Sequence, residues 1–182
     1  MVVALDGIDE PVDCPGMTTK IRPASPDDAE TIWKLIHDLA AFEKEPNAVK
    51  VTPDVLRTQL GQEPHPFECQ IAEVDGLPVG FALFFHNYST WRGKRGLYLE
   101  DLFVKPEHRG NGVGLALLAR LAAIAIERDC ARMEWSVLDW NRVAIDFYEA
   151  LGARPMSEWT TWRLTDSELA RLAARSTAHG DG

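Results

Sequence analysis

The stretch RGNGVG at residues 109–114 carries glycine at every second position and leads directly into an apolar helical repeat. Glycines allow a backbone to approach phosphate oxygens without Cβ clashes, and the N–H groups and dipole at the start of a helix favour an anion. This combination predicts a backbone cradle for a pyrophosphate group. On the loop alone, an ordinary glycine-rich turn between a strand and a helix remains an alternative.

Two common phosphate-binding motifs match this loop poorly. A Walker A loop continues with Lys and then Ser or Thr, whereas Gly114 is followed by Leu115 and Ala116. A dinucleotide fingerprint has the spacing Gly-x-Gly-x-x-Gly early in a βαβ unit, whereas here Gly110, Gly112 and Gly114 follow four predicted strands. Cradles for a nucleoside triphosphate or a dinucleotide are therefore disfavoured.

The segments around the loop alternate between strand and helix patterns. Residues 18–24 read as a strand, and Ser25 followed by Pro26 is a strong helix start. Further strands are predicted over 67–74, 77–87, 95–106, 131–139 and 158–165, and further helices over 51–61, 112–128 and 141–152 and after residue 165. The order β-α-α-β-β-β-α-β-α-β-α predicts a single α/β domain with a mixed central sheet flanked by helices.

Length and composition suit one compact domain with an acidic surface. With 182 residues, 46% of them hydrophobic, the chain can bury one sizeable core. Its 28 acidic residues outnumber its 19 Lys and Arg residues, and the formal charge of −9 disfavours a nucleic-acid partner. A cationic ligand suits this field better, although moderate acidity is also common in soluble proteins.

Cysteine usage and the chain ends indicate where the protein works. Cys14, Cys69 and Cys130 are far apart and show no metal-ligand or CxxC spacing, so we read them as reduced thiols of a cytoplasmic protein that needs no metal. No segment resembles a signal peptide or reaches the ~20 apolar residues that span a membrane, which predicts no membrane partner. We expect a flexible N-terminal extension over 1–17, a domain over 18–174 and a polar tail over 175–182.

The loop and a second stretch together resemble a known family. RGNGVG, preceded by the apolar LFV at 102–104, resembles the acetyl-CoA pyrophosphate loop of the GNAT superfamily of N-acetyltransferases. NRVAIDFYEALGARP at 141–155 resembles the downstream element of that superfamily, in which an Asn opens a helix and a Tyr faces the cofactor sulfur. The resemblance implies the GNAT fold, with acetyl-CoA as co-substrate. It implies cofactor contacts at Leu102, Phe103, Val104, Arg109, Gly110, Asn111, Gly112, Val113, Gly114, Leu115, Asn141, Arg142, Val143 and Ala144.

Four shorter stretches look like the diamine acetyltransferase branch, which includes the spermidine/spermine and thialysine enzymes. They are LAAFEK at 39–44, YSTWRG at 88–93, LYLEDLFV at 97–104 and VLDWN at 137–141. This likeness implies a small diamine, polyamine or thialysine-like substrate, since carboxylates with aromatic neighbours suit an alkylammonium chain. The substrate-binding residues it implies are Phe42, Glu43, Trp91, Glu100, Glu134, Trp135 and Ser136. Taken singly, each of these acids is more typical of a solvated surface.

The branch pattern is not complete. Where the spermidine/spermine enzymes have an Asp before Pro-Trp, this chain has Ser89-Thr90-Trp91, so one anchoring charge is absent. The stretches FEK and LDWN look more like the thialysine enzymes, whose substrate is a lysine analogue with an α-carboxylate. The choice of amine within the branch stays open.

Acetyl transfer from a thioester to an amine requires removal of a proton from the amine and a proton for the departing thiolate. Glu100 is the candidate base, and its alternative is a carboxylate that only binds the ammonium. Tyr148 is the candidate acid, because a phenol pKa of ~10 lies close to a thiol pKa of ~8.5. Its alternative is an aromatic that packs in the core beside Phe147.

The resulting hypothesis is an acetyl-CoA-dependent N-acetyltransferase that acts on a small amine. Acetylation of a protein lysine or N-terminus is a second hypothesis, and a non-catalytic acyl-CoA-binding module is a third. The resemblance also implies a homodimer, in which the second subunit completes the amine site.

Overall fold

The computed structural model of the protein describes residues 18–177. This part of the chain divides into two compact units, with the boundary between Gly152 and Ala153. Residues 1–17 and 178–182, which include Cys14, lie outside the described range, so the predicted extension, tail and domain limits remain predictions. Every site residue predicted from the sequence falls in the first unit.

The first unit alternates strands and helices as the sequence predicts. Its elements are β1 (Thr19–Pro23), α1 (Ala29–Phe42), α2 (Pro53–Gly61), β2 (Glu68–Val74), β3 (Leu77–Ser89), β4 (Lys94–Val104), α3 (Val113–Glu127), β5 (Met133–Trp135) and α4 (Arg142–Ala150). Short 3₁₀ turns at Pro26–Asp28 and Pro106–His108 precede α1 and α3. In the second unit, α5 spans Asp166–Thr177.

The strands form one five-stranded mixed sheet in the order β1-β2-β3-β4-β5. The first four strands are antiparallel neighbours, and β5 lies parallel to β4. Asp75 and Gly76, which join β2 to β3, have φ of 51° and 78°, the backbone of a tight hairpin turn. The predicted hairpin and the predicted mixed sheet with flanking helices are both confirmed.

Each face of the sheet carries its own apolar layer. On one face, α1 and α2 bury Ile32, Leu35 and Leu56 against strand residues that include Phe81 and Phe103. The register of β3 against β4 shifts between Leu83 and Phe84, where Phe84 pairs with Leu99. Beyond this shift Phe84, Leu97 and Leu99 point to the other face, and α3 packs across β1 to β4. A fully buried side chain of this size contributes about 1.5–3 kcal/mol, which makes the sheet a rigid platform for the loops at its edge.

Asp28 fixes the join between β1 and α1. Its carboxylate accepts the Ser25 backbone N–H at 2.8 Å and both terminal nitrogens of Arg22 at 2.9 and 2.8 Å. The Arg22 guanidinium, which also reaches Glu73 at 2.7 Å, holds the pKa of Asp28 down at about 2. The predicted helix start at Ser25 is confirmed, with one 3₁₀ turn before α1 proper.

The strand predicted over 158–165 is wrong, since these residues form no strand. They are rich in Trp and Thr, which favour strands, but a strand is stabilised by the backbone ladder of a neighbour. The sheet ends at β1 and β5 and includes no such segment. The strand expected over 131–139 is also shorter than predicted. No helix within residues 18–177 is long and apolar enough to cross a membrane.

Candidate active site

A β-bulge in the middle of β4 displays Glu100. On β3 the adjacent residues Leu83 and Phe84 pair with Asp101 and Leu99, so Glu100 has no residue opposite it. A bulge of this kind adds one residue to a strand and redirects its side chain. The Glu100 side chain is consequently exposed, although its neighbours on β4 are largely buried.

The parallel pairing of β4 with β5 stops at the same point. The last pair is Leu99 with Trp135, whereas β4 stays paired with β3 as far as Val104. From Glu100 to Val104, the edge of β4 that faces away from β3 therefore has no strand partner in the sheet. Peptide groups at such an edge can hydrogen-bond an extended ligand as a further strand would. Leu102, Phe103 and Val104, whose side chains are buried, supply this backbone.

The glycine loop continues from this edge into α3. Gly110 and Gly112 have φ of 75° and 74°, which only glycine adopts without strain. A Cβ built on Gly112 would have no atom within 4 Å, so its surface is open to a ligand. The first N–H groups of α3, at Val113, Gly114 and Leu115, have no intrahelical acceptor and carry the positive end of the helix dipole.

Arg109 anchors the start of the loop to β4. Its Nε donates to the Val104 carbonyl oxygen at 2.8 Å, and Nδ2 of Asn111 donates to the Arg109 carbonyl oxygen at 3.2 Å. The guanidinium carbon lies 5.5 Å from the Phe103 ring centroid and 5.2 Å from that of Phe42. Arg109 thus links the glycine loop to the C-terminal end of α1.

The segment 141–148 folds as its pattern predicts. Oδ1 of Asn141, which is buried, accepts the Ala144 N–H at 3.3 Å and caps α4. Arg142 and Val143 are exposed on the first turn. Two turns along α4, Tyr148 faces inward.

Tyr148 is buried next to β5, with 4% of its surface exposed. Its ring lies 5.0 Å from Trp135 and 5.5 Å from Phe147. Within residues 18–177, the phenol hydroxyl is buried and has no hydrogen-bond partner. Burial raises the pKa of Tyr148 above its usual value of 10, so the hydroxyl keeps its proton at neutral pH.

Phe42 and Glu43 lie at the C-terminal end of α1, on the side where Arg109 reaches it. The Phe42 ring is 5.8 Å from that of Trp140. Burial, reinforced by the charge of Asp101, raises the pKa of Glu43 from 4.5 to about 7. Oε1 of Glu43 is buried and finds no hydrogen-bond partner in the described part of the chain. A cation placed beside this carboxylate would be strongly attracted to it.

Glu134 and Ser136 are held by side-chain contacts. Glu134 Oε2 accepts Asn87 Nδ2 at 3.0 Å and Arg132 Nε at 2.7 Å. The hydroxyl oxygens of Ser136 and Tyr98 lie 3.0 Å apart. Sequence reasoning gave Asn87, Tyr98 and Arg132 no role. The contacts of Asn87 and Tyr98 depend on strand register and leave no local signal, whereas Arg132 is only two residues from Glu134 and could have been considered.

The structure does not bring Trp91 to the other predicted residues. Trp91 is 89% exposed in the turn between β3 and β4. Glu100 lies about 20 Å further along β4, at a rise of ~3.3 Å per residue. Trp91 therefore cannot share a site with Glu100 of its own chain unless the β3–β4 hairpin changes its conformation.

Comparison with known proteins agrees with this geometry. The chain matches the Acetyltransferase (GNAT) family over residues 33–153. Thialysine N-epsilon-acetyltransferase of Bos taurus is 37% identical over 167 residues, which cover 85% of this chain and 97% of that protein. L-ornithine N5-acetyltransferase of Arabidopsis thaliana is 32% identical over 202 residues, with coverages of 86% and 88%. An integron cassette protein from the mobile metagenome of V. cholerae superposes with a TM-score of 0.73 at 26% identity, over 87% of this chain and 99% of that one.

Proposed function

This chain belongs to the GNAT family of acetyltransferases, and from that premise we propose that it transfers acetyl from acetyl-CoA directly to a small diamine, polyamine or lysine-like amine. The relatives named for thialysine and L-ornithine support the acceptor class, because both compounds end in a primary amine. Acetylation of a protein lysine, which the sequence left open, is not favoured by these relatives.

The observation that carries the proposal is the end of β4–β5 pairing at Leu99 and Trp135. Glu100 follows Leu99 directly, and the Tyr148 ring lies 5.0 Å from Trp135. One opening in the sheet thus has an exposed carboxylate on one side and a buried phenol on the other. A reaction that takes a proton from one group and gives a proton to another needs such a pair.

The residues of the donor side fit acetyl-CoA. The left-handed glycines and the N-terminus of α3 suit its pyrophosphate, and the open edge of β4 at 102–104 suits its pantetheine amides. Asn141, Arg142, Val143 and Ala144 form the first turn of α4 on the other side of the opening. Acetyl-CoA supplies the activated thioester, and backbone N–H groups of β4 stabilise the negative charge that develops on the carbonyl oxygen.

Glu100 and Tyr148 manage the protons in this proposal. The Glu100 carboxylate is exposed, so it can accept the amine proton directly or pass it to solvent. The Tyr148 hydroxyl donates its proton to the departing sulfur. Burial makes this phenol a weaker acid, but the same burial disfavours a thiolate, so the two groups remain matched.

Carboxylates and aromatic rings form the acceptor side. Glu43 offers a half-buried carboxylate, and Phe42 with Trp135 supplies apolar walls for an alkyl chain. Glu134 is held in place by Asn87 and Arg132 at the end of β5. An alkylammonium group gains both ion pairing and cation–π contact in such surroundings.

Thiol release from acetyl-CoA tests the proposal. The assay uses spermidine, putrescine, thialysine, L-ornithine and a lysine peptide, each compared by kcat/KM at one pH. We expect turnover of at least one small amine and a far lower kcat/KM for the peptide. Tight acetyl-CoA binding without turnover of any amine would instead favour an acyl-CoA-binding module.

We also propose that the protein is a cytoplasmic homodimer. A second copy would supply a tryptophan that the Trp91 hairpin of the same chain cannot bring to its own Glu100. Cys69 and Cys130 are free thiols, which suits a reducing compartment. Sedimentation velocity should give a species of twice the chain mass, and a stable monomer at micromolar concentration would contradict the dimer.

A further inference from the structure

The C-terminal end of α1 carries a lysine where helices usually place glycine. Lys44 N–H donates to the Ala41 carbonyl at 3.2 Å, and Glu45 N–H donates to the Ala40 carbonyl at 2.9 Å. These two bonds form a Schellman motif, and Lys44 occupies its left-handed position with φ of 66°. A side chain at this position is unfavourable for the backbone, so a lysine here is a candidate for a role of its side chain.

The Lys44 side chain is held at the acceptor side of the site. Its Nζ lies 5.0 Å from the centroid of the Trp140 ring. Trp140 contacts Phe42 and directly precedes Asn141, the cap of α4. The ammonium therefore stands where the end of α1 meets the connection to α4, and both Lys44 and Trp140 are exposed to solvent.

The end of α1 thus carries a negative charge at Glu43 and a positive charge at Lys44. One oxygen of the Glu43 carboxylate is buried. The Lys44 ammonium lies over the exposed indole of Trp140. A diamine carries a cationic group at each end, and Lys44 would repel one of them. An α-amino acid with a terminal amine carries a carboxylate at the end remote from the reacting amine, and Lys44 would attract that carboxylate.

We propose that Lys44 is a specificity-determining residue that binds the α-carboxylate of an amino acid with a terminal primary amine and disfavours the corresponding diamine. This inference rests on the proposed function and narrows its substrate class. The ammonium over Trp140 and the unfavourable backbone of Lys44 are two separate observations that support it.

The end of α3 provides a matched control. Asp129 N–H donates to Ile126 at 3.1 Å and Cys130 N–H to Ala125 at 2.8 Å, so Asp129 occupies the same left-handed position, with φ of 54°. There the side chain forms an ion pair with Lys94 at 2.6 Å. This helix end lies at the opposite end of α3 from the glycine loop.

The test compares kcat/KM for L-ornithine and for 1,4-diaminobutane, which differ only by the carboxylate. In Lys44→Gly, the value for L-ornithine should fall about 5- to 10-fold, as expected for a partly solvated ion pair. The value for 1,4-diaminobutane should stay the same or rise. The melting temperature should equal or exceed that of the wild type, because glycine relieves the backbone. Lys44→Arg should keep the ratio within about twofold, and Asp129→Gly should leave it unchanged.

Each other outcome overturns the inference. An unchanged ratio in Lys44→Gly, or an equal loss for both amines, would remove Lys44 from specificity while acetyl transfer to small amines stands. A wild-type preference for 1,4-diaminobutane would do the same. If the wild type turned over neither these amines nor any other small amine, the proposed function itself would fail, and the inference with it.

Discussion

The donor and acceptor sides of the site are built from different parts of the chain. The proposed donor side is mostly backbone from one stretch, residues 102–115, with two left-handed glycines and the N-terminus of α3. The acceptor side consists of side chains from the end of α1, from β4 and from β5. Ionisation should therefore change acceptor binding strongly and donor binding little, and substitutions should separate the two sides.

The largest effect is expected at Tyr148, which lies between the two sides. Tyr148→Phe should lower kcat by about 10²-fold, because the sulfur leaves without a proton donor. The change removes one buried hydroxyl that lacks a partner within residues 18–177, so stability should not fall. Turnover assays measure the kcat change, and thermal unfolding measures the stability. Near wild-type kcat would leave Tyr148 as a packing residue beside Trp135.

On the donor side, Gly112→Val should weaken acetyl-CoA binding by about 10-fold. A β-branched residue is strained at φ of 74°, so the loop must change its backbone. The KM of the amine should stay within about twofold if the two sides are separate.

Gly76→Val is the matched control for this loop, since Gly76 has φ of 78° in the β2–β3 turn away from the site. It should destabilise the protein by a similar amount and leave acetyl-CoA affinity unchanged. Equal losses of affinity in both variants would mean that strain alone explains the effect.

On the acceptor side, pH should act through Glu43. With a pKa of about 7, this carboxyl is roughly 10% ionised at pH 6 and 90% at pH 8. The KM for a diamine should then fall about 5- to 10-fold over this range, whereas the acetyl-CoA affinity changes little. In Glu43→Gln, the pH dependence of the amine KM should be much flatter. A variant with the same slope as the wild type would assign the slope to another group.

Local signals explain which parts of this molecule could be predicted. The Asp75-Gly76 turn, the cap at Asn141 and the entry of the glycine loop into α3 each depend on a few adjacent residues, and the structure has all three. The predicted pyrophosphate cradle stays a prediction. The family resemblance, which rested on such local stretches, is confirmed by the match over 33–153.

Features that depend on a partner strand were not predicted. The bulge at Glu100 arises from the register of β3 against β4, which no single segment specifies. The strand expected at 158–165 is absent because residue types that favour strands supply no neighbouring ladder. The α1 terminus escaped notice for a different reason, since the left-handed position holds Lys44 rather than the usual glycine.

The smallest effect expected is on stability, again through Glu43. Its folded pKa of about 7 exceeds the usual 4.5, so between these values the unfolded chain ionises the carboxyl while the folded one keeps its proton. This contribution to stability is full below pH 4.5 and is lost as pH rises to 7. Because the group is partly solvated, we expect only about 1 kcal/mol. Urea unfolding at pH 4.5 and 8 should show Glu43→Gln gaining about that amount relative to the wild type at the higher pH.

Glu45→Gln, a change at an exposed neighbour, is the control for this prediction and should show no such gain. Both substitutions remove one negative charge, but only Glu43 has a buried carboxylate oxygen. An equal gain in the two variants would therefore mean that net charge, and not the burial of Glu43, sets the pH dependence.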